Sequence, residues 1–189
     1  MKIQSLFNKC VLFIFVFWTC LSCIKDTDFE QAETLTISPV MEVNLVKVLE
    51  TPDSFLDSTG AEVPFISDQV VLEVFNSDFI IDNLTKADLV FGINNSINKA
   101  FEIKIDFYDI SETLQHSFTI DTANSPSNIP LFTEYIEVFE GVSLTALKSS
   151  NKLDITISLS SSPTGSVLTS DSEGSIHLTS KGVFYLNLP

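Results

Sequence analysis

The chain has 189 residues, ten lysines, no arginine and 25 acidic residues, giving a net charge of −15. That length suits one domain with a hydrophobic core of its own. The charge balance and the missing guanidinium groups exclude nucleic acid as a partner and exclude electrostatic docking on anionic lipid.

In chain order, the first element is an export signal. Residues 1–9 carry Lys2 and Lys9 and no acid, and residues 11–21 are almost wholly apolar. A positive segment followed by about a dozen apolar residues is the pattern of a secretory signal. A membrane-spanning helix needs about 20 apolar residues. Here Lys25, Asp26, Asp28 and Glu30 arrive too early for one.

The junction Leu21-Ser22-Cys23 resembles the lipobox of bacterial lipoproteins. The resemblance implies a diacylglyceryl group on the Cys23 thiol, cleavage just before it and acylation of the new amino terminus. Ser22 supplies the small residue that the peptidase requires. Cys20 and Leu21 depart from the family, which usually has leucine and then a small residue at those two places. The tract "CIKDTDFE", residues 23–30, is similar to the acidic tract of surface-exposed lipoproteins of Gram-negative bacteria. It implies an outer-membrane location; the other reading is a solvated tether whose charges keep it extended. The organisation expected is a signal over residues 1–22, a lipidated cysteine and acidic tether over 23–37, and a folded domain over 38–189. Cys10, Cys20 and Cys23 are the only cysteines, so the processed chain keeps one and forms no internal disulfide. Its net charge becomes −17, because two lysines leave and every acid stays.

The remainder reads as strands separated by turns. Phe101, Ile103, Ile105 and Phe107 alternate with Glu102, Lys104 and Asp106, the period of a half-buried antiparallel strand. Leu114, His116, Phe118 and Ile120 share a face, so residues 101–120 form a hairpin turning at 109–112. Leu153, Ile155, Ile157 and Leu159 repeat the device. A last hairpin is expected at residues 175–188, turning through Ser180, Lys181 and Gly182. Further strands are expected at 42–49, 69–75 and 87–94, with an irregular connection at 79–85. Residues 131–147 follow neither period cleanly, and one short helix is allowed there. Twelve of the sixteen phenylalanines survive signal removal, enough to fill the space between two sheets. Seven or more short strands without a long amphipathic helix give an all-β, antiparallel β-sandwich. The fragment "DLVFGINNSINKAFEIKIDFYD", residues 88–109, resembles the immunoglobulin-like sandwiches of late-embryogenesis-abundant and water-stress proteins, which implies an immunoglobulin-like fold.

Chemistry is sparse. The two histidines are His116, on an apolar face and expected at the core edge with a hydrogen bond, and His177, expected to face solvent. No nucleophile-elbow, S-x-x-K or H-E-x-x-H motif occurs, and no phosphate-cradling glycine loop. Too few His and Cys remain for zinc, and Asp26/Asp28 and Asp171/Glu173 are too sparse to define calcium loops. No cofactor, metal or catalytic residue is expected. The leading expectation is a lipid-anchored, non-enzymatic interaction, adhesion or accessory-subunit module of the bacterial outer membrane. Its partners are membrane lipid, through Cys23, and an envelope protein. One rival is a glycan- or other ligand-binding lipoprotein, with Tyr108 or Tyr185 exposed beside a groove with carboxylates. A remoter rival is a hydrolase with two acids facing each other across a deep pocket.

Overall fold

The computed structural model describes residues 37–160 and 165–188; the expected signal and tether, with Cys23, Asp26 and Asp28, lie outside them. Eight strands are described: β1 (Val40–Glu50), β2 (Phe65–Val71), β3 (Leu84–Asn95), β4 (Phe101–Tyr108), β5 (Leu114–Thr122), β6 (Leu131–Phe139), β7 (Lys152–Leu159) and β8 (Ile176–Leu186). Two helices join them, α1 (Asp78–Asn83) and α2 (Gly141–Ser149). None of the described helices is long and apolar enough to cross a membrane.

The strands form two four-stranded antiparallel sheets, in the orders β1-β8-β3-β6 and β2-β7-β4-β5. The all-β sandwich is therefore as the sequence predicts. The strand order is not the immunoglobulin one. β1 pairs with β8, β2 with β7, β3 with β6 and β4 with β5, as though one long hairpin had been rolled into two layers. That nested pairing of eight strands is a jelly roll. Alternating apolar residues dictate a two-sheet sandwich but are indifferent to which strands become neighbours. The connections decide that, and here every one except the β4–β5 hairpin crosses between the sheets.

Local readings change in three places. No turn breaks residues 180–182, because β8 runs unbroken past them. Gly182 points into the core, where a Cβ would sit 2.6 Å from the Phe184 ring and 3.3 Å from Leu89. This glycine marks close packing of a folded-back aromatic, not a bend. Residues 131–147 fit neither period because they are two elements, strand β6 and then helix α2, with Ser143 Oγ accepting from the Glu140 N–H at 3.0 Å. Residues 79–85 hold the short helix α1 and the start of β3, and β2 begins at Phe65 and stops at Val71.

Between the sheets the phenylalanines do what their number predicts. Phe91, Phe101, Phe107, Phe139 and Phe184 are fully buried. Each contributes on the order of 1.5–3 kcal/mol by leaving water.

The sandwich has two different ends. At one, Ile37 exchanges two main-chain hydrogen bonds with Leu188, of 3.0 and 2.8 Å, so the chain enters and the last strand finishes together. This end is capped by apolar side chains: Ile80 of α1, Leu144 and Leu147 of α2, and Phe75 edge-on to Phe184. At the far end lie the connections 51–64, 96–100 and 123–130 and the described residues 165–175 of the β7–β8 connection. Those connections are laced by polar side chains. Buried Asn95 donates to the carbonyls of Lys99 and Ala123 at 2.8 Å each and accepts from the Ile97 N–H at 2.9 Å. Glu62 binds Lys99 Nζ at 2.8 Å and the Leu168 N–H at 2.7 Å, joining three of the connections.

Candidate binding face

The outer surface of the β2-β7-β4-β5 sheet carries a row of interlocked polar side chains. β4 sends Phe101, Ile103, Ile105 and Phe107 inward, which leaves Glu102, Lys104, Asp106 and Tyr108 outside. β7 does the same with Lys152, Asp154, Thr156 and Ser158. Register then aligns Gln69, Asp154, Asp106 and Ser117 in one row across all four strands. The adjacent row is Val71, Lys152, Tyr108 and Leu114.

Each group in the first row is held. Gln69 Nε2 donates to Asp154 Oδ1 at 2.8 Å. Lys104 Nζ donates to Asp106 Oδ2 at 2.8 Å, and Ser117 Oγ donates to Asp106 Oδ1. The hydrogen bond to Asp106 raises the Lys104 pKa, so the ammonium stays charged. Asp106 is only 6% exposed although it points away from the core, because its neighbours cover it. Asp154 keeps its second oxygen without a hydrogen-bond donor among the described residues. Lys152 Nζ lies 5.1 Å from the centre of the Tyr108 ring and pairs with Glu112. That hydrogen bond raises the Lys152 pKa.

Above this floor runs an open trough of about 440 Å³, lined by Phe65, Ser67, Asp68, Gln69, Asp106, Tyr108, Asp154 and Thr156. Phe65 is 54% exposed and half-buried Tyr108 stands at the other end. Asp106 and Asp154 are side by side on one floor, directly opposite in the ladder. They are not two acids on facing walls of a deep pocket, the arrangement set out above for carboxylate hydrolysis.

The remaining candidates fall elsewhere. Tyr185, on the outer face of the other sheet, donates to Asp88 Oδ2 at 3.0 Å, with Lys86 Nζ 5.0 Å from its ring centre. His116 sits where expected, at the core edge between β5 and β6, with Nε2 and Glu137 Oε1 2.7 Å apart. Tyr135 donates to the second Glu137 oxygen at 2.7 Å and stacks on Phe118. The hydrogen bond to Glu137, with burial adding to it, pushes the Tyr135 hydroxyl up to about 12. His177 is half-buried on the outer face rather than solvent-facing, and its Nε2 is covered without a partner among the described residues. Asp171 and Glu173 line a separate hollow of about 280 Å³ at the far end. Among the described residues, no group of three or more His, Cys, Asp or Glu is placed to hold a metal ion.

Sequence reading picked out Tyr108 but missed Phe65, Gln69 and the Asp106/Asp154 pair. Alternation marks both acids as outward-facing. The long-range register that puts them opposite each other leaves no local trace.

No family model matches the chain, and no curated protein matches it. Among solved structures it is similar to a protein of Parabacteroides distasonis described as secreted, at 14% identity and a TM-score of 0.48, over 64% of this chain and 37% of that one. It is also similar to the VP2 subviral particle of infectious bursal disease virus, at 9% identity and a TM-score of 0.40, over 78% of this chain and 32% of that one. The chain thus spans about a third of the length of either structure.

Proposed function

We propose that this protein is a lipoprotein of the bacterial outer membrane, anchored by acyl chains on Cys23, whose jelly roll serves as a non-enzymatic binding and adhesion module. The observation that carries the reading is the order of parts: a positive and apolar leader, Ser22-Cys23, an acidic stretch, and then a sandwich beginning at Ile37. Acyl chains supply the attachment that a body of charge −17 cannot obtain from anionic headgroups. The geometry fits such a module. The described domain begins at Ile37, paired with Leu188 at one end of the sandwich, and the outer face of the β2-β7-β4-β5 sheet presents polar side chains a partner could meet.

The test is Cys23→Ala in the full chain, with membrane fractionation and mass spectrometry of the mature protein. Wild type is expected in the outer-membrane fraction with acyl mass at residue 23, and the variant in the soluble fraction. Equal membrane retention of both, with no acyl mass on wild type, overturns the reading. Cross-linking in native membranes then identifies the neighbours.

A further inference from the structure

We propose that the trough on the β2-β7-β4-β5 face binds a neutral oligosaccharide. This deepens the reading of a non-enzymatic binding module and rests on it.

A saccharide ring offers an apolar C–H face and a rim of hydroxyl groups. It is held by an aromatic ring against the face and by planar polar side chains along the rim. The trough provides both. Phe65 and Tyr108 stand at its two ends. Phe65 shares a row with Glu102, six residues before Tyr108 on β4, so strand rise places the two rings about 20 Å apart along the face. That separation suits a chain of several sugar rings rather than one.

Between the aromatic rings lies the Gln69–Asp154–Asp106–Ser117 row. The free oxygen of Asp154 accepts from a hydroxyl, and the Gln69 amide both donates and accepts. Asp106 has both oxygens occupied by Lys104 and Ser117, so the acid pair is not a cage for a cation. It backs the floor and fixes its neighbours. The residues sit on strands and hold one another by hydrogen bonds, which limits the side-chain freedom that binding must freeze.

The row also breaks a local rule. Like charges directly opposite in a ladder are destabilising, yet Asp106 faces Asp154 with no cation among the described residues bridging the two. Such departures concentrate at functional positions.

Charge sets the ligand class. The chain has no arginine, and the two cations of this face, Lys104 and Lys152, are already paired with Asp106 and Glu112. Sulfated, phosphorylated or uronic-acid glycans meet uncompensated carboxylates there, and neutral ones do not.

The experiment uses the full-length chain in mild detergent, on an array of neutral and anionic oligosaccharides, with calorimetry on the best neutral binder. Wild type is expected to bind neutral oligosaccharides. Asp154→Ala and Tyr108→Ala are each expected to weaken binding at least tenfold, and Gln69→Ala severalfold, with melting temperatures within a few degrees of wild type. Lys181→Ala, on the opposite face, serves as the control and leaves binding unchanged. The proposal is overturned if no neutral oligosaccharide binds at millimolar concentration, if anionic glycans alone bind, or if every trough variant that stays folded binds like wild type. The same measurement on Cys23→Ala separates the two proposals. Glycan binding by a chain that wild-type mass shows was never acylated leaves the trough standing and removes the anchor. Acylated wild type with cross-linked protein neighbours but no glycan leaves the binding module standing and removes the sugar.

Discussion

Both ends of the sandwich bury apolar side chains, but only the far end adds a network of polar side chains bound to main-chain groups of its connections. Where the chain enters, closure is apolar: helices α1 and α2 drop Ile80, Leu144 and Leu147 onto the sheet ends, and Phe139 lies between Phe107 and His116. At the far end Phe55, Ile97 and Leu168 are also buried, and a polar lacing is added over them. Asn95, Glu62 and Asn128 bind main-chain groups of neighbouring connections, and Gly174 lets the 165–175 segment approach so closely that a Cβ there would sit 2.3 Å from the Ser96 carbonyl oxygen. Burial of hydrocarbon is non-directional and indifferent to pH. Hydrogen bonds to main-chain groups fix loop positions, and each depends on one donor, one acceptor and sometimes one proton. The entry end should therefore be robust as a whole, and the far end precise but separable.

The largest effect should come from opening the apolar end. Phe139 is fully buried, with ring centroids 5.5 Å from Phe107 and 4.8 Å from His116. Phe139→Ala should cost about 3–5 kcal/mol, since it removes a buried ring and leaves a cavity. In a domain of this size that lowers the melting temperature by roughly 10 °C or more. Thermal unfolding followed by circular dichroism measures it. A loss below about 1 kcal/mol would mean that apolar contacts do not seal this end.

A smaller and more local loss is expected at Asn95, which is 1% exposed. Asn95→Ala removes four hydrogen bonds and strands the Ile97 N–H and the Lys99 and Ala123 carbonyls, at a cost of about 1–3 kcal/mol. The comparison sharpens in hydrogen exchange. Phe139→Ala should raise exchange through the strands, whereas Asn95→Ala should raise it first in the connections 96–100 and 123–130. Uniform acceleration by both substitutions would erase the distinction between the ends.

The same contrast explains what the sequence made legible. Apolar alternation announces strands, so β4, β5 and β7 could be read almost to the residue from Phe101–Phe107, His116–Ile120 and Leu153–Leu159, but a bulge in β5 turns Leu114 to the outer face beside Tyr108 instead of inward with His116. It also made His116 a core-edge residue. Glycine misled at Gly182, where the demand was space for the Phe184 ring rather than a turn. The jelly-roll order and the facing of Asp106 with Asp154 are long-range facts. Asn95 and Glu62 look like ordinary loop residues, because their partners lie in connections distant in sequence. The expectation at Cys23 rests on the leader that precedes it and lies outside the described residues.

The smallest effect is the one that pH should reveal. Burial works to raise the Glu62 pKa, but hydrogen bonds from Lys99 and the Leu168 N–H, with the Lys99 charge, overcome it and hold the carboxyl below its usual value. A folded-state pKa below the unfolded one means that the ionised group stabilises the fold. That contribution is complete above the unfolded value, near 4.5, and disappears as pH falls through the folded one. Glu62→Gln should cost about 1 kcal/mol at neutral pH, or about 2–4 °C in melting temperature. The gap between wild type and variant should close as pH is lowered, because a protonated Glu62 and the glutamine that replaces it then differ little. A gap that persists unchanged into strong acid would show that Glu62 acts by packing, and that the polar lacing adds no charge-dependent contribution to the far end.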